Sequence, residues 1–172
     1  MVAFSKELIV TIFTDGSSIK DRAGMGIYVK PGHRLNRSIP LKGKCAGFAE
    51  YAIIKIAMDD VLADPEYCKA RIIICTDRKD LIDKMNGTAK QTFKKGSKIK
   101  EIYTELQASY RKFKKGQITL QKVDAHTNEK DGNYYADKLA GYASGKENDL
   151  PKGILTNYAE ELCNYEIKNL NQ

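Results

Sequence analysis

The feature that most constrains the fold is an uninterrupted apolar run, Ile72 to Cys75, between the polar residues Arg71 and Thr76. A strand without polar alternation buries both of its faces, which is typical of an inner strand of a parallel sheet. Parallel strands need crossover connections, and these are usually helices that cover the sheet. The run therefore predicts an α/β domain in which this strand lies between other strands and beneath helices.

The rest of the chain supplies the other elements of such a domain. Runs of β-branched and aromatic residues that end at turn residues predict strands, whereas apolar residues at helical spacing predict helices. Strands are expected at 8–14, at 24–30, within 37–44, at 71–76 and at 117–123, and helices at 46–62, 80–86, 99–113 and 133–143. This order predicts a five-stranded mixed sheet with helices on both faces.

The length of 172 residues suits one sizeable core and is short for two independent domains. We expect one domain over residues 1–145 and a tail over residues 146–172. The tail begins with a polar stretch, and the residue pattern that follows predicts an amphipathic helix over residues 155–167. No function is predicted for it.

The net charge of +7 favours a polyanionic partner, either nucleic acid or an acidic membrane surface. No segment approaches the roughly 20 apolar residues of a membrane span. The four cysteines form no C-x-x-C pair, which indicates reduced thiols rather than a zinc site or a disulfide framework. We therefore expect a soluble intracellular protein, cytoplasmic or nuclear, with no membrane partner.

Two acids, Asp15 and Asp77, each directly follow a predicted strand. Ligands of open α/β sheets bind at the carboxyl ends of strands, so both side chains are expected in one crevice. The alternative is that each acid serves only as a turn residue.

Two further acids lie on predicted helices. Glu50 lies on the apolar stripe that contains Ile53 and Ala57, and a carboxylate facing a core is costly unless it is paired or binds a cation. The alternative is that Glu50 ends the stripe and reaches water. Asp137 lies one turn before the small residues Ala140 and Gly141, and its alternative is a solvated helix acid.

Taken in order, these residues resemble a known family. The motifs match in order and spacing over residues 7–145, and the resemblance is to type 1 ribonuclease H. They are Thr14-Asp15-Gly16-Ser17, Gly24-x-Gly26, the glutamate that begins a helix, Thr76-Asp77, Asp124-Ala125-His126, and Asn133-x-x-x-Asp137-x-Leu139-Ala140.

The resemblance implies a ribonuclease H-like fold and a metal-dependent endonuclease that hydrolyses the RNA strand of RNA–DNA hybrids, leaving 5′-phosphate and 3′-hydroxyl ends. It implies two Mg²⁺ ions, with Mn²⁺ as a substitute. We expect the protein to be a monomer. The resemblance assigns the metal ligands as Asp15, Glu50, Asp77 and Asp137, and it places His126 in a loop that assists product release or proton transfer. It assigns contacts with the hybrid to Gly16, Ser17 and Asn133.

An acid-free basic segment, residues 84–100, lies where the related enzymes place a substrate-binding handle. Its candidate contacts are Phe93, Lys94, Lys95 and Lys98, since lysines suit phosphates and the ring of Phe93 either packs on a sugar or anchors the segment. The alternative is a solvated loop. Three positions depart from the bacterial pattern of asparagines and a glutamine, namely Cys45, Ala46 and Lys79, so the resemblance does not fix the contacts with the DNA strand or with the 2′-hydroxyls.

Two other functions stay open on the sequence. One is a catalytically inactive ribonuclease H-like module that binds nucleic acid, although four mutually repelling acids serve no purpose in such a module. The other is a different nuclease of the same superfold, such as an integrase, a resolvase or a 3′–5′ exonuclease. The sequence does not decide between a cellular and a virus-encoded origin.

Overall fold

The computed structural model describes residues 7–125 and 130–171. The elements in these residues are β1 (Ile9–Ile19), β2 (Arg22–Tyr28), β3 (Arg37–Lys42), α1 (Ala46–Ala63), β4 (Arg71–Thr76), α2 (Lys79–Met85), α3 (Lys98–Tyr110), β5 (Ile118–Lys122), α4 (Gly132–Ser144) and α5 (Asn157–Leu170). Most of them lie within a few residues of the predicted bounds. None of the helices in this described part is both long and apolar enough to cross a membrane.

The strands form one mixed sheet in the order β3-β2-β1-β4-β5. The β1–β2 and β2–β3 pairs are antiparallel, whereas β4 runs parallel to both of its neighbours, β1 and β5. Ile72 and Ile74 on one face of β4 are fully buried, and on the other face Cys75 is buried while Ile73 is half-buried. The prediction of an inner parallel strand in a five-stranded mixed sheet is therefore confirmed.

Two separate hydrophobic clusters lie on the two faces of this sheet. The larger includes Ile12, Ile54 and Leu106, where α1 packs against β1, β2 and α3. The smaller includes Tyr28 and Leu139, where α4 packs against the first three strands. Helices cover both faces, as predicted.

The first strand is longer than its sequence indicates. The predicted strand ends before Asp15, but β1 continues to Ile19 because it stays paired with β2, with Asp15 opposite Gly26. Its pairing with β4 stops earlier, at Phe13 opposite Cys75. The prediction that Asp15 follows a strand is therefore wrong, since Asp15 lies within β1, just beyond the end of the β4 ladder.

Two glycines on β2 let α4 lie directly on the sheet. A Cβ atom on Gly24 would lie 2.1 Å from the carbonyl oxygen of Ala140, and one on Gly26 would lie 2.1 Å from that of Ala136. Such distances are far below van der Waals contact, so only glycine allows the helix this close. The close approach brings Asp137, on the same helix, to the strand that carries Asp15.

The tail folds back onto β3 through α5, which begins two residues after the start predicted from the sequence. Leu155 and Cys163 are buried, and the Cys163 thiol donates a hydrogen bond to the Ser38 hydroxyl at 3.3 Å. The Asn36 amide donates to the backbone carbonyl of Ile154 at 2.7 Å. The chain after residue 145 therefore packs against the edge of the sheet.

Candidate active site

Asp15 lies on β1 where that strand retains β2 as a neighbour but has passed the end of its pairing with β4. The residue is only 9% exposed, and its Oδ1 accepts a hydrogen bond of 2.8 Å from the Gly16 backbone N–H. The end of the β4 ladder opens a crevice at the carboxyl edge of the sheet, where α/β folds bind ligands.

Asp77 and Glu50 reach the same crevice from different elements. Asp77 directly follows β4, and Glu50 lies near the N-terminus of α1. Asp15, Glu50 and Asp77 each offer a carboxylate oxygen, and these oxygens all lie within 4.8 Å of one another. The prediction that Asp15 and Asp77 share one crevice is confirmed.

Burial in the crevice raises the pKa values of Asp15 and Glu50. Burial, followed by the charges of Asp77 and Asp137, raises the pKa of Asp15 to about 8. Burial also raises the pKa of Glu50 to about 7, against the opposing effect of Arg78. Ionisation of these groups is therefore costly in the folded protein unless a cation compensates the charge.

One oxygen atom in the cluster is left available to a cation. Asp77 Oδ1 is buried and has no hydrogen-bond partner among the described residues. Buried polar atoms in proteins are normally paired, and an unpaired carboxylate oxygen is an open coordination position. Carboxylate oxygens are the ligands that Mg²⁺ and Mn²⁺ favour. The residues present therefore fit a divalent cation between β1, α1 and the end of β4.

Asp137, the fourth predicted acid, lies beside this cluster rather than in it. It is half-buried on α4, and it does not belong to the group of three whose oxygens meet within 4.8 Å. Its charge nevertheless acts on Asp15, where it is the second acid that raises the pKa. Asp137 is therefore placed at the rim of the crevice on the side of α4.

Arg78 is a charged residue of the site that the sequence did not predict. Its Nη1 donates a hydrogen bond to Glu50 Oε2, while Nε and Nη2 donate to the two oxygens of Asp80 at 2.7 and 3.0 Å. From the sequence it is one polar residue in a turn. The available signal was its position, since a cation directly after Asp77 enters a crevice of acids.

The family is decided by comparison with known sequences. A profile of the family described as RNase H matches residues 7–144. The chain belongs to the ribonuclease H family. The resemblance found in the sequence is thereby confirmed, and the protein is an enzyme of the ribonuclease H type, a nuclease and hydrolase. No curated protein sequence matches the chain significantly.

Solved ribonuclease H structures share the fold. The compost-derived LC11-RNase H1 in complex with an RNA/DNA hybrid has a TM-score of 0.63 and 18% identity, covering 80% of this chain and 97% of that one. RNase H1 of the archaeon Halobacterium salinarum has a TM-score of 0.60 and 15% identity, with coverages of 81% and 99%. The RNase H domain of prototype foamy virus has a TM-score of 0.57 and 28% identity, with coverages of 82% and 97%.

The residues predicted to contact the hybrid near the carboxylates are packed against other parts of the chain. A Cβ atom on Gly16 would lie 2.6 Å from Glu50 Cγ, so the glycine makes room for the glutamate. The Ser17 hydroxyl is buried and accepts a hydrogen bond from Ser144 at 3.2 Å. The buried Asn133 amide donates to the backbone carbonyl of Asp124 at 3.1 Å. His126 lies outside the described residues.

The basic segment lies against the start of α3. The ring of Phe93 packs on Tyr103 with centroids 5.1 Å apart and contacts the larger core cluster, which anchors the segment. Lys94 and Lys95 are exposed. Lys98 is the first residue of α3 and lies close to Lys44, whose pKa is lowered by desolvation and then by the neighbouring Lys98.

A surface cleft of about 590 Å³ lies between the β1–β2 turn, the start of α1 and the start of α3. Its lining includes three lysines, one acid, Asp21, and one of the residues that depart from the bacterial pattern, Cys45. The lysines are Lys20, Lys44 and Lys98. Ala46 begins α1 and Lys79 begins α2, where its side chain is exposed. The cleft therefore presents positive charge on the α3 side of the carboxylate crevice.

Proposed function

We propose that this ribonuclease H hydrolyses the RNA strand of RNA–DNA hybrids at two divalent cations, Mg²⁺ or its substitute Mn²⁺, leaving 5′-phosphate and 3′-hydroxyl ends. The metal ligands in this proposal are Asp15, Glu50, Asp77 and Asp137. The observation that carries it is the carboxylate cluster of Asp15, Glu50 and Asp77, with the unpartnered buried oxygen of Asp77.

The chemistry supplied by two bound cations is activation of a water and stabilisation of the leaving oxygen in an in-line displacement at phosphorus. The chain contributes carboxylates that secondary-structure elements hold close together. The backbone N–H of Gly16 orients Asp15, and the strand end fixes Asp77. Asp137 lies at the rim, and its distance from the other three carboxylates depends on how closely α4 packs on the sheet.

The choice of a hybrid as substrate is supported by the family and by two surfaces. Recognition of RNA requires contact with 2′-hydroxyls across a shallow minor groove, and we assign this role to the backbone around Gly16 and Ser17 and to Glu50. The cleft with Lys44 and Lys98 suits phosphates of the other strand. LC11-RNase H1, which has this fold, was solved with an RNA/DNA hybrid.

The direct experiment presents the protein with four labelled substrates: RNA–DNA hybrid, double-stranded RNA, single-stranded RNA and double-stranded DNA. Each is incubated with Mg²⁺, Mn²⁺ or chelator. We expect cleavage of the RNA strand of the hybrid alone, with 5′-phosphate ends, and no cleavage in chelator. Equal cleavage of double-stranded DNA, or undiminished activity in chelator, would refute the proposal. Tight binding of the hybrid without cleavage would instead identify an inactive binding module.

The basic segment gives a second expected result. Replacing Lys94, Lys95 and Lys98 with glutamine should weaken hybrid binding and flatten the slope of log affinity against log salt by about one to three units, because each lysine that contacts a phosphate releases counterions. The cleavage rate at saturating hybrid should change little. Binding is measured by fluorescence anisotropy over a salt series.

The matched control is a second lysine triple at the amino ends of β4 and β5, opposite to the end of β4 that leads to Asp77. Lys69, Lys114 and Lys115 line a different cleft, so their replacement removes the same charge far from the proposed path of the hybrid. An equal loss of slope in both triples would show that only net charge matters. An unchanged slope in the first triple would remove the basic segment from the substrate-binding surface.

A further inference from the structure

Arg78 links the carboxylate crevice to a second, separate group of polar side chains. It stands between Asp77 and the first residue of α2, and its side chain is 30% exposed. On one side it pairs with Glu50, and on the other with Asp80. No other cation among the described residues forms a salt bridge with Asp15, Glu50 or Asp77.

Arg78 makes two hydrogen bonds to Asp80 and one to Glu50. Arg78 Nε and Nη2 bind the two carboxylate oxygens of Asp80 at 2.7 and 3.0 Å, the bidentate arrangement that suits a guanidinium. Asp80 Oδ2 also accepts hydrogen bonds from Lys84 Nζ at 3.0 Å and from the Tyr51 hydroxyl at 3.1 Å. Asp80 is therefore held by three side chains, and Arg78 is held by Asp80.

The contact with Glu50 uses the one remaining nitrogen, Nη1. Loss of that contact does not require loss of either bond to Asp80, because those bonds use Nε and Nη2. Glu50 is at the same time one of the three acids whose oxygens converge in the crevice. The guanidinium of Arg78 and a divalent cation would therefore compete for the carboxylate of Glu50.

We propose that Arg78 is a built-in counter-ion of Glu50 that competes with the divalent cation and thereby sets the cation concentration at which the site fills. This inference rests on the proposed metal centre and adds a determinant of its affinity. In the absence of cation, Arg78 compensates part of the charge in the crevice. When a cation binds Glu50, the bond from Arg78 to Glu50 is lost and the two bonds from Arg78 to Asp80 remain.

The test measures cation binding by the whole protein without nucleic acid, using isothermal titration calorimetry with Mn²⁺ and with Mg²⁺. Arg78→Gln is expected to bind both ions about threefold to tenfold more tightly than the wild type, because a competing positive charge is gone. The matched control, Lys79→Gln, removes an exposed charge from the neighbouring residue and should leave the affinity within about twofold of the wild type.

A second variant tests the same inference in the opposite direction. Asp80→Asn removes the carboxylate that retains Arg78, so the guanidinium stays on Glu50 and both ions should bind more weakly. Asp83→Asn, on the same short helix, controls for loss of one negative charge. This pair of variants decides the matter even if Arg78→Gln fails to fold.

The outcomes separate the inference from the proposed function. Wild-type binding with no tightening in Arg78→Gln, or tightening of equal size in Lys79→Gln, overturns the role of Arg78 and leaves the metal centre standing. An affinity in Asp80→Asn equal to that of Asp83→Asn also overturns it. Absence of binding in the wild type and in every variant overturns the metal centre as well.

Discussion

Asp77→Asn is expected to lower the rate of hybrid cleavage by several orders of magnitude, and Asp15→Asn and Glu50→Gln are expected to do the same. Each replacement removes one of three carboxylates whose oxygens lie within 4.8 Å of one another, and a neutral amide is a much weaker ligand for Mg²⁺. The measurement is single-turnover cleavage at saturating hybrid, which reports the chemical step. Near wild-type turnover in any of the three would contradict the assignment.

A stability measurement shows whether the inactive variants still fold, and the carboxylates in the crevice predict its result. The pKa of Asp15 in the folded protein is about 8, above its ordinary value of 3.8. The folded state therefore favours the protonated acid, and the free energy of unfolding decreases as the pH rises through this interval. In chelator at pH 8 and above, Asp15→Asn should thus be more stable than the wild type, and below pH 4 the advantage should disappear.

This control is read as a melting temperature. For a chain of this length, each kcal/mol of added stability raises the melting temperature by about 2–4 °C. Hybrid binding, measured by anisotropy, should be largely retained in the same variants. If Asp15→Asn melted at a lower temperature than the wild type in chelator at pH 8, the Asp15 carboxylate would stabilise the empty site, contrary to its burial beside other acids.

Gly26→Ala is expected to lower the free energy of unfolding strongly. The added Cβ atom would lie 2.1 Å from the Ala136 carbonyl oxygen and 2.8 Å from the Ala140 backbone nitrogen. Both are backbone atoms of α4, so the helix must move from the sheet, at a cost of about 1–3 kcal/mol or more. Cleavage should fall as well, since Asp137 moves with α4. Urea unfolding and the cleavage rate measure the two effects.

A glycine in a different environment controls for the substitution itself. Gly47 lies in α1, where an added Cβ atom would come no closer than 3.7 Å to Arg78 or Ile99. Gly47→Ala should therefore be neutral or stabilising by up to about 1 kcal/mol, because alanine favours the helix. Equal unfolding midpoints for Gly26→Ala and Gly47→Ala would show that α4 does not need the close contact with β2.

For Asp15, the sequence predicts the correct crevice but the wrong end of the strand. The apolar run before it correctly predicts a strand that leads to the crevice. The strand does not end there, however, because β2 continues to pair with it through Gly26 and Gly24. The acid is exposed to the crevice by the end of its other neighbour, β4. Pairing partners that lie far apart in sequence decide that point.

The four acids also differ in how far the sequence predicts their arrangement. Asp77 and Glu50 are found by local pattern, the first at a strand end and the second on an apolar helix stripe. The distance of Asp137 from the other three depends on how closely α4 approaches β2, which the glycines of β2 permit. The pattern of α4 alone leaves both a solvated acid and a ligand open.

The sequence by itself determined the order of strands and helices, the inner parallel strand and the motifs that identify the family, because periodicity and turn residues act over a few neighbouring positions. Only the tertiary structure decided that Arg78 pairs with Glu50, that Phe93 anchors the basic segment on Tyr103, and that α5 covers β3. These contacts join residues from separate elements. Their formation depends on the packing of whole elements and on side-chain conformations, which no local pattern specifies.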